Sequence, residues 1–425
     1  MAFETTLDAP ESERTGASEP AHLPQRHSSA LFVISAAKLF ERTAYYGART
    51  LLILYMVFGL QYDQSEALSI YGTFGSSFFV LGLLGGLIAD FWLGSKRTLI
   101  WTGFMVVLGL GVMSGGENLF VPGLILFAIG SGLSAPNSGV LLAKSYLDRK
   151  HLLDSGFTIH YVGINIGAIL GSLVIALVGE ELGYTWGFAC AAVTMLLGQI
   201  ILILGNKHIS VEKRYREQAP NVEAGKIKGS IPLLLMILVL NVAFWTSYEL
   251  GGGKVYSLFK ELIESVDSHQ YVSFIHSLTP TLVICIGIGS GILWSFWRFP
   301  SVWKCALGVL LFAIGFALLW LPEITLSVVI AIFVFRAFAE LLFVPIFSSI
   351  LAQYVPVRWM GTVFGGALVS FGMASSLSGF LRGSTDGVLG GDFFYWILGA
   401  TVALAIGLLL IWINNRQSNP KPVDL

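Results

Sequence analysis

The sequence predicts an all-α integral membrane protein: twelve spanning helices in two six-helix halves related by pseudo-two-fold symmetry. Three observations predict it. First, 55% of the 425 residues are hydrophobic and only 12% are charged, with a mean hydropathy of +0.76. A soluble domain carries about 25% charged residues, so this chain cannot coat its surface with charge and most of its solvent is lipid. Second, the chain divides into twelve apolar runs, each near the roughly 20 residues that cross a bilayer. Third, the one long polar interruption, Asn206 to Gly229, falls between runs six and seven. Six plus six around a central linker is a common transporter plan.

The elements follow in order. Residues 1–28 are polar, with acids and prolines, and read as a disordered cytoplasmic tail. They are not a signal peptide, because no apolar core follows a basic start. The first half, 29–205, holds runs at 29–60, 67–92, 98–115, 120–146, 155–178 and 184–205. Residues 206–229 form a cytoplasmic linker. The second half, 230–415, holds runs at 230–260, 271–297, 301–321, 324–354, 360–381 and 393–414. Residues 416–425 form a second cytoplasmic tail. The 48 glycines suit close helix packing in lipid.

Loop charge sets the orientation. Loops after even-numbered runs carry Lys96, Arg97, Arg149, Lys150, Lys207, Lys213, Arg214, Arg216, Lys226, Lys228, Arg298, Lys304 and Arg358. Loops after odd-numbered runs carry mainly acids, among them Asp63, Glu66, Glu117, Glu180, Glu181 and Glu323, against only Lys260 and Arg382. The positive-inside rule then puts both termini in the cytoplasm of a multi-pass cell-membrane protein.

Other classes have little support. The net charge of −1 gives no case for nucleic acid. Cys190, Cys285 and Cys305 make neither a metal spacing nor a disulfide framework. There is no nucleophile–base–acid set with a plausible spacing, so an enzyme is not expected, nor is a cofactor.

The informative residues are charges inside apolar runs. Each costs roughly 2.5–3.5 kcal/mol on insertion scales and so usually faces a water-filled interior. The first run has Lys38, Glu41, Arg42 and Arg49, the seventh Glu249 and Lys254, the tenth Arg336 and Glu340. Three acids against five bases leave +2, which suits a ligand bearing a carboxylate or another anion. Lys38, Glu41, Arg42, Tyr45, Tyr46 and Arg49 share one helical face. That face either lines a cavity or holds a structural ion pair of Glu41 with Arg42 or Lys38.

Arg336 and Glu340 are at a self-pairing spacing, and Pro345 one turn on favours a bend. In the seventh run Trp245, Tyr248 and Glu249 precede Gly251, Gly252 and Gly253, which predict a gating bend. Lys254 shares the Glu249 face only if those glycines unwind. His160 is either a second titrating group or a packed histidine bonded to a carbonyl.

Several segments resemble known families. Gly85-Gly86-Leu87-Ile88-Ala89-Asp90 followed by Trp92-Leu93-Gly94-Ser95-Lys96-Arg97 resembles the loop motif after helix 2 of the major facilitator superfamily. There Asp90 can cap a neighbouring helix end while Lys96 and Arg97 hold the cytoplasmic side. Glu41-Arg42-Thr43-Ala44-Tyr45-Tyr46-Gly47-Ala48-Arg49 resembles the E-x-x-E-R-F-x-Y-Y-G-x-R signature of the proton-dependent oligopeptide transporter family. Gly132 to Asn137 resembles that family's G-x-x-K-P-N segment, and His160 to Gly167 its F-Y-x-x-I-N-x-G segment. Glu340 with Pro345 resembles its G-E-x-x-x-x-P segment.

The resemblance implies the major facilitator fold and proton-driven uptake of di- and tripeptides by alternating access, with peptide, protons and the bilayer as partners and a monomeric state. It implies that Arg49 holds the peptide carboxylate, that Tyr46, Asn165 and Glu340 contact the peptide, and that Glu340 takes its amino end. Tyr45, Trp245 and Lys254 complete the expected substrate-facing set. Glu41, Arg42, Lys38 and Glu249 form the expected proton-coupling set. Lys38 stands where the signature has its first glutamate, Ala135 where helix 4 has a lysine, Leu250 where a glutamine follows the helix 7 acid, Thr279 where an asparagine precedes a proline, and Val344 where a serine is common. A same-fold carrier of another small organic solute, or a non-transporting sensor or assembly partner, are the competing readings.

Overall fold

A computed structural model describes residues 26–209, 224–263, 269–297, 299–383 and 390–418. The described residues form twelve long helical passages. In the first half they are α1 (Ser29–Leu54, extended by the wider turn Tyr55–Gly59), α2 (Gln64–Leu93), α3 (Ser95–Met113), α4 (Glu117–Lys144), α5 (Lys150–Leu182) and α6 (Tyr184–His208). In the second they are α7 (Ala224–Ile263), α8 (His269–Phe296), α9 (Ser301–Trp320), α10 (Leu326–Tyr354), α11 (Met360–Gly383) and α12 (Gly390–Ser418). Eleven are long and apolar enough to cross a membrane. Helix α1 falls short, and it is the helix that carries Lys38, Glu41, Arg42 and Arg49.

The domain boundaries shift at their edges. Residues 1–25, 210–223 and 419–425 lie outside the described residues, and so does most of each expected tail and linker. Residues 26–28, expected in the first tail, are joined to the bundle, with Ser28 capping α1 by accepting from the Ala30 N–H at 3.3 Å. Helix α6 continues through a tight turn to His208, α7 starts at Ala224, and α12 runs on to Ser418.

Neither expected bend interrupts its helix. Gly251, Gly252 and Gly253 stay within one unbroken helix. Gly252 has a packing role instead: a Cβ there would sit 3.1 Å from the guanidinium of Arg336. Helix α10 likewise continues through Pro345 without a change of helix type. The break falls in α4. Pro136 has no N–H to donate, and the chain turns between Ser134 and Asn137. The Asn137 amide donates to Leu133 O at 2.9 Å and to Gly85 O at 3.4 Å, tying the break to α2.

Across the halves, α2 packs on α11, and α5 packs on α8 and α10. The α2–α11 crossing is close enough that a Cβ at Gly86 would overlap Gly361 O at 2.0 Å. The first-half core centres on Tyr45, Phe74, Phe127 and Phe188, the second on Phe244, Phe312 and Phe343. Large apolar side chains such as Trp101, Leu108, Leu235 and Leu410 remain exposed on the outer faces, as lipid contact requires.

Candidate functional site

Helix α1 brings its charges together as the spacing predicts. Glu41 is forked by two cations. Lys38 Nζ lies 2.8 Å from Oε2, and Arg42 donates from Nε at 2.7 Å and from Nη2 at 2.5 Å. All three side chains are buried. The structural ion pair is therefore made, and within α1 itself rather than to a second helix. The Arg42 guanidinium also lies 4.6 Å from the Tyr45 ring centre, a cation–π distance.

The rest of the face divides. Tyr45 is buried among Phe74, Phe78 and Phe127, so its ring is used in the first-half core. Tyr46 is half-buried, edge-on to Tyr45. Arg49 is half-buried and turns to α2, donating from Nε to the Tyr71 hydroxyl at 2.7 Å. His160 on α5 is buried, with Nδ1 3.1 Å from Ser35 Oγ, so it is a packed histidine bonded to a hydroxyl rather than to a carbonyl. The Asn165 amide donates to Tyr161 O in its own helix at 3.0 Å.

The second pole is Glu340 on α10. Its carboxylate accepts from two tyrosines, Tyr161 of α5 at 2.5 Å and Tyr248 of α7. The expected pairing of Arg336 with Glu340 is not made. Arg336 donates instead to Tyr248 O at 3.0 Å, with its guanidinium stacked 4.0 Å from the Tyr248 ring centre. Its Nε is buried without a partner. Arg336 therefore grips Tyr248 from behind while the Tyr248 hydroxyl holds Glu340. Trp245 extends this aromatic wall, edge-on to Phe371 of α11 at 4.6 Å.

Glu249, one residue after Tyr248, points elsewhere: it accepts from Ser378 of α11 at 2.5 Å. The Lys254 side chain lies outside the described residues.

The loop motif does what its residues predict. Asp90 caps α11, accepting from Gly361 N at 3.0 Å, Thr362 N at 2.6 Å and Thr362 Oγ1 at 2.9 Å. A carboxylate suits the positive end of a helix. Gly94 has φ +82°, a conformation that favours glycine. Lys96 and Arg97 follow in the first turn of α3, half-buried and exposed.

Sequence reasoning missed a second contact at this end of the bundle. Lys304, expected as a loop cation, is buried in the first turn of α9 and pairs with Asp154 of α5 at 2.6 Å. Asp154 also accepts from Ser301 at 2.9 Å and Ser349 at 2.5 Å. Beside it, Ser155 meets Ser295 of α8 at 2.8 Å, and the His27 ring reaches Tyr146 at 2.7 Å, Ser295 at 3.1 Å and Ser155 at 3.2 Å. The one available signal was an acid at the start of an apolar run.

The described residues have the fold of a multi-pass membrane protein with twelve long helical passages. Among solved structures, the chain superposes on the POT family transporter PepTSo with a TM-score of 0.63 at 16% identity, covering 93% of this chain and 99% of that one. A POT family transporter in complex with a thioalcohol-conjugated peptide gives a TM-score of 0.64 at 18% identity, covering 91% and 96%. Both likenesses are of fold.

The family model described as POT family matches residues 96–227. The uncharacterized transporter YclF of Bacillus subtilis is 32% identical over 188 residues, 43% of this chain and 38% of that protein. The dipeptide and tripeptide permease B of Yersinia enterocolitica is 33% identical over 175 residues, 40% and 35% respectively. The di-/tripeptide transporter of Lactococcus lactis is 28% identical over 229 residues, 52% and 46%. The chain thus spans less than half the length of these curated relatives, and over the matched segments it is similar to the POT family.

Proposed function

We propose that the protein is a secondary transporter that couples inward proton flow to the uptake of di- and tripeptides or peptide-like solutes. The observation that carries this reading is a pair of opposite charges, one on each half. Arg49 on α1 is a half-buried cation held by a neutral tyrosine, and Glu340 on α10 is a carboxylate held by neutral tyrosines. A zwitterionic peptide presents the complementary pair. Each charge-assisted contact is worth about 1.5–3 kcal/mol, so two of them favour a zwitterion over either single ion. Alternating access follows from the bundle plan. The halves are latched at the Asp90 and Asp154 end, taken as cytoplasmic from the loop charges, and must part there to release cargo. The protein works as a monomer in the cell membrane with both termini inside.

Binding to purified protein tests the two poles. An Ala-Ala-type dipeptide should bind more tightly than its N-acetylated form and its C-amidated form. Glu340→Gln should reduce affinity for the free-amine peptide and leave the N-acetylated form nearly unchanged. Equal binding of all three forms would reject peptide ends as the recognised groups.

A further inference from the structure

The Glu340 carboxylate is clamped from both halves of the molecule. Tyr248 belongs to the same half as Glu340, and Arg336 fixes Tyr248 through its backbone carbonyl and ring face. That side of the clamp moves with Glu340 in any rigid-body motion of the halves. Tyr161 belongs to α5 of the other half, and its hydroxyl donates to Oε1 at 2.5 Å. That bond must lengthen whenever α5 and α10 part. No cation among the described residues pairs with Glu340; its nearest candidate, Arg336, is turned onto Tyr248.

We propose that the Tyr161 hydroxyl is the resting occupant of the Glu340 site, a stand-in for a cationic group of the cargo. Its displacement by that cation frees α5 from α10 and lets the halves separate at the Asp154 end. This rests on the proposed uptake of amine-bearing solutes. The chemistry has a simple basis. A carboxylate at bilayer depth cannot be left without donors. In the empty protein, parting the halves would strip Glu340 of one of its two hydroxyl partners. With an ammonium bound, Glu340 keeps a partner on its own half and the parting loses nothing there. Occupancy and motion are thereby linked through one hydroxyl, and Tyr161 is a positioning residue for the switch rather than a primary cargo contact. The ligand and the Tyr161 hydroxyl that holds the halves together compete for one acceptor, the differential interaction that a population shift requires.

Two measurements on the full chain test this. The first is binding of an Ala-Ala-type dipeptide and its N-acetylated form to the unsubstituted protein and to Tyr161→Phe. Removing the competing hydroxyl should tighten the free-amine peptide several-fold and leave the N-acetylated form unchanged. A loss of affinity of equal size for both would overturn the proposal, since it would make Tyr161 a general contact or a packing element.

The second reads opening directly. Ser155 is fully buried between α5 and α8, so Ser155→Cys, with Cys190, Cys285 and Cys305 changed to serine, reports opening of that end by maleimide labelling. Tyr161→Phe should raise the labelling rate several-fold in the empty protein, and the dipeptide should raise it in the Tyr161 protein. Labelling that is indifferent to Tyr161→Phe would contradict the switch even if peptide binds. Faster labelling in Tyr161→Phe with no peptide response in either protein would keep the latch and reject the peptide reading.

Discussion

Asp154 on α5 and Lys304 on α9 form an ion pair of 2.6 Å between the two halves, and both side chains are buried. Removing one partner of such a pair leaves a buried uncompensated charge, a cost of about 3–5 kcal/mol, whereas removing both charges is often nearly neutral. Lys304→Met should therefore lower thermal stability strongly. Adding Asp154→Asn should recover most of the loss, because Ser301 and Ser349 can still bond to the amide. Differential scanning fluorimetry in detergent decides it. A double variant no more stable than Lys304→Met would deny the coupling.

Asp90 makes the corresponding contact on the other side of the interface, capping α11 through Gly361 and Thr362. Asp90→Asn keeps an acceptor and loses the charge; Asp90→Ala loses both. A helix cap is worth about 0.5–2 kcal/mol. The expected order of stability is aspartate, asparagine, alanine, and alanine should also favour the form parted at that end. Labelling of Ser155→Cys in the three backgrounds measures the second effect, and an unchanged rate would confine Asp90 to folding.

Under the proposed proton coupling, the two acids should behave differently. Glu41 is held by Lys38 and Arg42, so Glu41→Gln would strand two buried cations. We expect it to damage stability before it tells anything of coupling. Glu249 accepts a hydroxyl from Ser378, and Glu249→Gln should preserve fold and peptide exchange while abolishing accumulation driven by a pH gradient. Full gradient-driven accumulation by Glu249→Gln would move the proton to another group.

His27 gives the closed end a pH dependence. Burial, and then the positive charges of Arg149 and His151, lower its pKa below the usual 6.5. Above that ordinary value His27 is neutral whether docked or not. As pH falls through it, the undocked form takes the proton first, so docking against Tyr146, Ser295 and Ser155 weakens toward the lower docked value. A spin label at Arg26→Cys should grow more mobile between pH 7.5 and 5.5, and His27→Gln should flatten the profile. A flat profile with His27 present would show that the ring does not hold the segment.

Much of this was legible in the sequence, for identifiable reasons. Helix number follows from the succession of apolar runs, which lipid enforces. Lys38, Glu41 and Arg42 sit within one turn, so spacing alone predicts their pairing. The cap by Asp90 was legible because a carboxylate beside Gly94 and a basic turn has few other uses. What spacing cannot give is contact between distant helices. The Tyr161–Glu340 and Asp154–Lys304 bonds join residues 179 and 150 positions apart, and neither leaves a local pattern. The seventh-run glycines sit within one continuous helix although propensity argues against them there. One of them, Gly252, makes room for the Arg336 guanidinium.

The central claim is proton-driven peptide uptake, and transport by purified protein in liposomes tests it most directly. With the outside acidic and the inside neutral, an Ala-Ala-type peptide should accumulate inside above its external concentration, and a protonophore should abolish the excess. Uptake that stops at equal concentrations whatever the gradient, or no peptide uptake at all, would contradict the account.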